Sequence, residues 1–320
     1  MKSETAASTQ ALQVAERAGF WTRPDLGVLR VQGDDRLTWL NGQITNDVRA
    51  LEHVSSVHAL AVHVRGKIMA ELWVVAAEDE LLVVHPKPVL AALLESFERY
   101  IIMEDVTLTP WPEAQVLSVL GPHSAQLAAA SAEALRGTSA RCFEYDELGL
   151  GGWAILGEPA VLATASAGLR SAGVIEIDEA GYELARLRAG VPRFGVDYGD
   201  RTYPQEAGLK QLVSFSKGCY LGQEVVCTLE NRGRLTRQLA VLKGPAGAEG
   251  PIPAPGAVLH TASGDAPGEV TSAVYDPDAR AVLALAYVKR AHAAPGTTLT
   301  ADSTHFTLER VVGADHVDQA

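Results

Sequence analysis

An α+β body followed by an all-β module is the fold class that this 320-residue sequence predicts. Through about residue 190, apolar runs of strand character are interspersed with segments whose apolar residues recur at helical spacing. From about residue 237, β-like runs at 238–243, 257–261, 268–275, 281–288 and 297–300 are divided by Pro/Gly-rich turns such as Pro251 to Gly256. Short strands punctuated in this way predict a small, separate barrel.

Taken in order, residues 8–19 read as a helix after Ser8, and Leu26 to Val31 as a strand. Asp34 or Asp35 is placed to cap a helix carrying Leu37, Trp39 and Leu40, which Asn41-Gly42 ends. The apolar runs 58–64 and 67–76, with Arg65-Gly66 between them, predict a hairpin. A strand at 80–85 follows, then a helix over 87–100 with Val89, Leu90, Leu93, Leu94 and Phe97 on one face. Strands are expected at 105–109, 115–120 and 148–156, and a helix at 123–136. Asp178 can cap a helix running to Arg188, with Gly190 ending it and Pro192 blocking continuation. Residues 191–216 have weak periodicity and many turn residues, which marks a long structured loop of the kind that carries function.

Composition narrows the function. Acidic residues outnumber basic ones 39 to 27, a net charge of −12, which disfavours broad nucleic-acid or anionic-membrane binding. The three cysteines, Cys142, Cys219 and Cys227, form neither a disulfide framework nor a C-x-x-C pair, so a reducing compartment is expected. Residues 1–13 lack a signal-peptide layout, and the uncharged stretch 114–132 contains Gly121-Pro122 and several polar residues. A cytoplasmic protein without membrane spans is the expectation. No phosphate-loop or G-x-S-x-G motif occurs, which counts against ATPase and serine-hydrolase chemistry.

The informative stretch is 186–239. It holds R-L-R-A-G-V-P-R-F-G-V-D-Y (186–198), P-Q-E-A-G-L (204–209), K-G-C-Y-L-G-Q-E (217–224) and N-R-G-R-L (231–235). Upstream lie N-G-Q-I-T-N-D-V (41–48) and G-K-I-M-A-E-L-W-V (66–74), and downstream P-G-E-V-T-S-A-V-Y-D-P (267–277). In this order the motifs resemble the YgfZ-type folate-binding proteins, a branch of the glycine-cleavage T-protein (aminomethyltransferase) superfamily. The K-G-C-Y-x-G-Q-E element is particular to that branch. The resemblance implies a T-protein-like body of two α+β modules around a central folate channel, with a C-terminal β-barrel. The expected boundaries are 1–50 with 115–235 for the folate-binding modules, 51–114 for an inserted α+β module, and 236–320 for the barrel. It implies tetrahydrofolate, or a one-carbon derivative, as ligand. It also implies a role in assembly or repair of iron–sulfur proteins, which would be the clients. Folate-dependent aminomethyl transfer or demethylation is the alternative.

Residue types at the matching positions suit these roles. Cys219 follows Lys217 and Gly218, and a neighbouring cation favours the thiolate. It is the candidate reactive thiol, against a buried turn cysteine. Lys217 is the second candidate catalytic residue, able to hold an anionic group. Glu71, Tyr220, Gln223, Glu224 and Arg232 are the candidate folate contacts. A carboxylate's two oxygens match the amide-and-amino edge of a pterin, and guanidinium groups suit folate's carboxylates. For Glu224 an ion pair with Arg232 or Arg234 remains the alternative, and for Tyr220 core packing. Gly222 argues against a helix joining Cys219 to Cys227, and no metal site is expected. Two departures weigh against aminomethyl transfer. Ala70 and Glu71 stand where the transferases carry an Asp-Asp pair, and no Y-T-G-E-x-G element precedes the A-G-x-P helix. Within the branch itself, Val226-Cys227-Thr228 replaces V-A-R, leaving Arg232 to compensate for a lost cation.

Overall fold

The computed structural model describes residues 2–232, 235–247 and 251–313. The chain divides into two compact units: residues 12–178 with 212–223, and residues 1–11 with 179–211 and 224–320.

The larger unit begins within helix α1 (Lys2–Glu16), which is followed by strands β1 (Gly19–Arg23) and β2 (Leu26–Gln32) and helix α2 (Arg36–Asn41). Then come β3 (Val57–Val62), β4 (Ile68–Ala76), β5 (Glu80–Pro86), α3 (Leu90–Glu98) and β6 (Thr107–Pro110). The remainder is β7 (Gln115–Leu120), α4 (Ser124–Ala134), β8 (Arg141–Glu144), β9 (Gly152–Gly157), α5 (Pro159–Ser171) and β10 (Ile175–Glu176). These strands form two five-stranded sheets, ordered β3-β4-β5-β2-β6 and β10-β1-β7-β9-β8.

Side-chain alternation explains the layers. On β2, Leu26 and Val28 join Trp73, Val75, Leu82 and Val84 in a core shared with Val116, Phe143, Tyr145, Ala154 and Leu156 of the second sheet. Leu29 and Val31 point the other way, into a core closed by Trp39 and Leu40 of α2 and Leu93 and Phe97 of α3. Helices α4 and α5 cover the far face of the second sheet over Leu117, Val119 and Ile155. Strands buried on both faces read as unbroken apolar runs, which is how the hairpin appears in the sequence. Strand β2 pairs along its whole length with β5, so residues 51–114 share their sheet with an earlier strand.

The second unit holds helices α6 (Glu179–Ala189) and α7 (Gln223–Arg232), the latter apart from its first residue, and strands β11 (Arg237–Lys243), β12 (Val258–Leu259), β13 (Gly268–Asp276), β14 (Ala281–Lys289), β15 (Thr298–Ala301) and β16 (Thr304–Val311). The six strands run in the order β12-β13-β14-β11-β16-β15, and a bridge between His260 and Thr300 links the two edges into a nearly closed barrel. Small side chains, among them Ala240, Ala284 and Ala286, fill its interior around Phe306 and Leu308. The alternate residues Leu239, Val241, Leu283, Leu285 and Tyr287 pack outward with Leu187 of α6. Arg186, on the same helix, is fully buried and is neutralised by Asp197 at 2.9 Å and Glu183 at 2.6 Å, with Ser272 accepting a third bond.

Several elements lie beyond the sequence-based expectation. Strands β1, β8, β10 and β16 and helices α5 and α7 were not expected, and α1 begins earlier than Ser8. As expected, no helix joins Cys219 to Cys227: Gly222, at φ +78, is the left-handed residue just before α7, and the helix starts after it. Strand β16 turns off β15 through Asp302 and Ser303, both at positive φ, a pair without the Asn-Gly signature of such turns. Among the described residues no helix is long and apolar enough to cross a membrane.

His85, on β5, is 1% exposed. Its Nδ1 lies 2.9 Å from the Pro86 carbonyl and its Nε2 has no partner among the described residues. Burial lowers its pKa from the ordinary 6.5. The unfolded chain therefore takes up a proton that the folded chain resists, and stability falls as pH drops through 6.5 toward the lowered value. Urea unfolding between pH 7 and 5 is expected to show that loss, and His85→Leu to flatten this part of the slope.

Candidate functional site

The site is built on the edge of the first sheet. Strand β3 is an edge strand, and such an edge leaves backbone groups unpaired. Loop 41–47 covers it. Ile44 bridges to Ala61, the Thr45 amide donates to the Leu60 carbonyl at 2.9 Å, and the Leu60 amide donates to Thr45 Oγ1 at 2.9 Å. Asn46 Nδ2 donates to the His58 carbonyl at 2.9 Å.

Segment 212–223 is sewn onto that loop. Thr45 Oγ1 donates to the Leu212 carbonyl at 2.6 Å, the Ser214 amide to the Thr45 carbonyl at 2.9 Å, and the Leu221 amide to the Gly42 carbonyl at 3.0 Å. Lys217 is the clamp. Its side chain runs inward, the residue being 6% exposed, and its ammonium donates to the carbonyls of Asn41 (2.6 Å), Ile44 (2.9 Å) and Asn46 (2.7 Å). Desolvation lowers its pKa to about 8, against an upward pull from Asp47. Asp47 itself is held below the usual carboxylate range, chiefly by its hydrogen bond to Arg49. An ammonium has three protons to give, and all three go to this loop. The structure thus places Lys217, expected to hold an anionic group, on three carbonyls of the loop that it fixes.

Gly222 completes the attachment. A Cβ there would lie 2.4 Å from the His63 carbonyl at the end of the β3–β4 hairpin, so only glycine allows the backbones to meet. Tyr220 is 6% exposed, with the Lys217 ammonium 5.4 Å from its ring centre. It packs in the interior and offers no open face for stacking. Cys219, between these two inward residues, is exposed.

Glu71 sits on β4, paired across the hairpin with Leu60, and so joins the same hydrogen-bonded edge. Its half-exposed carboxylate meets His58 Nε2 at 2.8 Å. The His58 ring stacks on Trp73, with centroids 3.7 Å apart and planes 13° from parallel, and Trp73 in turn meets Tyr145 at 4.5 Å. His58 is not among the site residues expected from the sequence. Its place directly across from Trp73 in the hairpin register is the signal that pairs it with the aromatic column.

The candidates thus separate. Glu71, Lys217, Cys219, Tyr220 and Gln223 fall in one unit, whereas Glu224 belongs to the other. Gln223 and Glu224 open helix α7 rather than lying in a turn, and Glu224 is exposed in its first turn, where a carboxylate suits the helix dipole. The side chains of Arg232 and Arg234 lie outside the described residues. Cys227 is on α7, half-buried, and Cys142 is also half-buried, with burial pushing its thiol pKa up. Among the described residues no group of three His, Cys, Asp or Glu is placed to hold a metal ion.

Two outcomes follow from this geometry. Lys217→Met leaves three carbonyls without their donor and is expected to cost about 2–3 kcal/mol, seen in urea unfolding together with faster hydrogen exchange at the Thr45 and Leu60 amides. Brief alkylation of the native protein is expected to label Cys219 first and Cys142 last, as read by peptide mass spectrometry.

Known proteins share this architecture. The GCVT N-terminal domain family matches residues 2–217, and the glycine cleavage T-protein C-terminal barrel domain matches residues 237–312. A protein from Yersinia enterocolitica named tRNA-modifying protein YgfZ is 27% identical over 233 residues, spanning 69% of this chain and 70% of its own. Its namesake from Serratia proteamaculans is 27% identical over 231 residues, spanning 70% of each chain. The crystal structure of glycine cleavage system aminomethyltransferase T from Bartonella henselae superposes with a TM-score of 0.83 over 96% of this chain and 89% of that one. At 20% identity that likeness is one of fold.

Proposed function

The chain belongs to the glycine cleavage T-protein family, in its YgfZ-type branch, and we propose on that footing that it is a tetrahydrofolate-binding accessory protein supporting the assembly or repair of iron–sulfur proteins. The observation that carries this reading is Cys219, an exposed thiol between the inward-turned Lys217 and Tyr220, on a segment whose backbone is fixed by the Lys217 clamp. A thiol so presented is available to a client or a sulfur species while its backbone stays in place.

The residues present suit a folate. Glu71 offers a half-exposed carboxylate of the kind that receives a pterin's donor edge, beside the stacked rings of His58 and Trp73. When bound, tetrahydrofolate would supply one-carbon chemistry, and Glu71 would orient its ring. Aminomethyl transfer is disfavoured because Ala70, fully buried on β4, provides no acid where the transferases carry one. The curated relatives are named for tRNA modification. For this chain we take that name as a consequence exerted through client enzymes, since a net charge of −12 opposes phosphate binding over a broad surface.

Anaerobic calorimetry is expected to give saturable, micromolar binding of tetrahydrofolate, weakened at least about tenfold, some 1.4 kcal/mol, by Glu71→Gln. Cys219→Ala is expected to bind folate normally and yet fail to complement a cell lacking its own copy. Full complementation by that variant would remove the thiol from the mechanism.

A further inference from the structure

We propose that the Ile102–Met103 loop is a docking knob for a partner protein, which meets it with a lysine- or arginine-rich amphipathic segment. Ile102 is 82% and Met103 93% exposed, adjacent in sequence at the tip of the connection between α3 and β6. A single exposed apolar side chain is ordinary. Two large ones side by side on a fixed loop are a binding feature held in advance, because the ordering cost of an interface is already met before a partner arrives.

The loop is fixed from both sides. One oxygen of the Glu104 carboxylate accepts the amides of Ile102 at 2.7 Å and Met103 at 3.0 Å. Before the tip, the Tyr100 and Ile101 amides close the end of α3, and the Tyr100 carbonyl accepts Trp39 Nε1 at 3.0 Å. Beyond it, the Asp105 amide donates to the Asp35 carboxylate at 2.8 Å, the Asp35 amide to the Asp105 carbonyl at 3.2 Å, and the Asp34 amide to the Asp105 carboxylate at 3.1 Å. These hydrogen bonds leave the two apolar side chains outside and hold the backbone still.

Charge selects the occupant. The exposed carboxylates of Asp34, Asp35, Glu104 and Asp105 surround the knob. Arg36 turns its guanidinium to the Gly33 carbonyl at 2.9 Å, and Arg99 is paired with Glu95, so carboxylates dominate the rim. An acidic rim around an apolar centre complements a segment with an apolar stripe flanked by cations. A second copy in a two-fold contact would set these carboxylates against one another, and an anionic membrane would be repelled. Met103 suits a docking role because its unbranched, polarisable side chain adapts to its contact. None of these residues belongs to the candidate folate site, so the inference stands apart from the proposed function.

The test uses the full chain carrying 13C-methyl methionine, titrated with a synthetic helical peptide bearing leucine on one face and lysine on the other. Of the three methionines, Met69 is buried and serves as the internal reference. The Met103 methyl is expected to shift saturably while Met69 stays still. By calorimetry, Ile102→Ser/Met103→Ser should weaken the peptide at least tenfold, and Asp34→Lys at least threefold, with tetrahydrofolate affinity unchanged in both. A Met103 signal that does not move, equal affinity for the double variant, or equally tight binding of a glutamate-for-lysine peptide would each overturn the proposal. So would self-association or anionic-vesicle binding that the double variant abolishes.

Discussion

A lysine ammonium drawn out of water needs an acceptor for each of its three protons, and Lys217 finds them on the carbonyls of Asn41, Ile44 and Asn46. Three residues far away in sequence are thereby held in one curve. That curve seals the open edge of β3 through Ile44 and Thr45, and the sealed edge in turn keeps the hairpin bearing Glu71 in register. The same bonds anchor the segment on which Cys219 is displayed. Position of the thiol, order of the loop and integrity of the sheet edge therefore rest on one buried cation.

The family signature changes meaning in this light. Most of its members turn inward. Arg186 and Asp197 neutralise each other beneath α6, Glu206 receives Arg237 and the Tyr203 amide, and Gln205 donates to the Val226 carbonyl. Lys217, Tyr220 and Gly222 fasten the 212–223 segment. Such residues are constrained because a buried charge or a close backbone contact tolerates few replacements. Cys219 is the departure: in the midst of residues with structural partners, its sulfur is exposed, and no hydrogen bond to it occurs among the described residues.

Legibility in the sequence followed local physics. The β3–β4 hairpin, β2, β5, α2, α3 and α6 carry their own signals, in apolar runs, turn glycines and caps, and were readable. Helix α7 was hidden because Gly222 signals the absence of helix before it and nothing about the helix that begins directly after it. Strand β16 was hidden because its turn uses Asp302 and Ser303 in place of glycine. What ties residues 51–114 to the chain before them is long-range: β2 lies before that segment in sequence and pairs with β5 within it.

By itself, the sequence determined the α+β class, the terminal barrel and the family, because periodicity, turn chemistry and motif order are local properties. What Lys217 does was decided only in three dimensions. Nothing in K-G-C-Y announces that the ammonium reaches back some 170 residues to three carbonyls, because a hydrogen bond depends on distance in space and a motif records only distance along the chain. The pairing of His58 with Glu71 and Trp73 arose in the same way, through the register of a hairpin that set Trp73 opposite His58 and Glu71 diagonal to it.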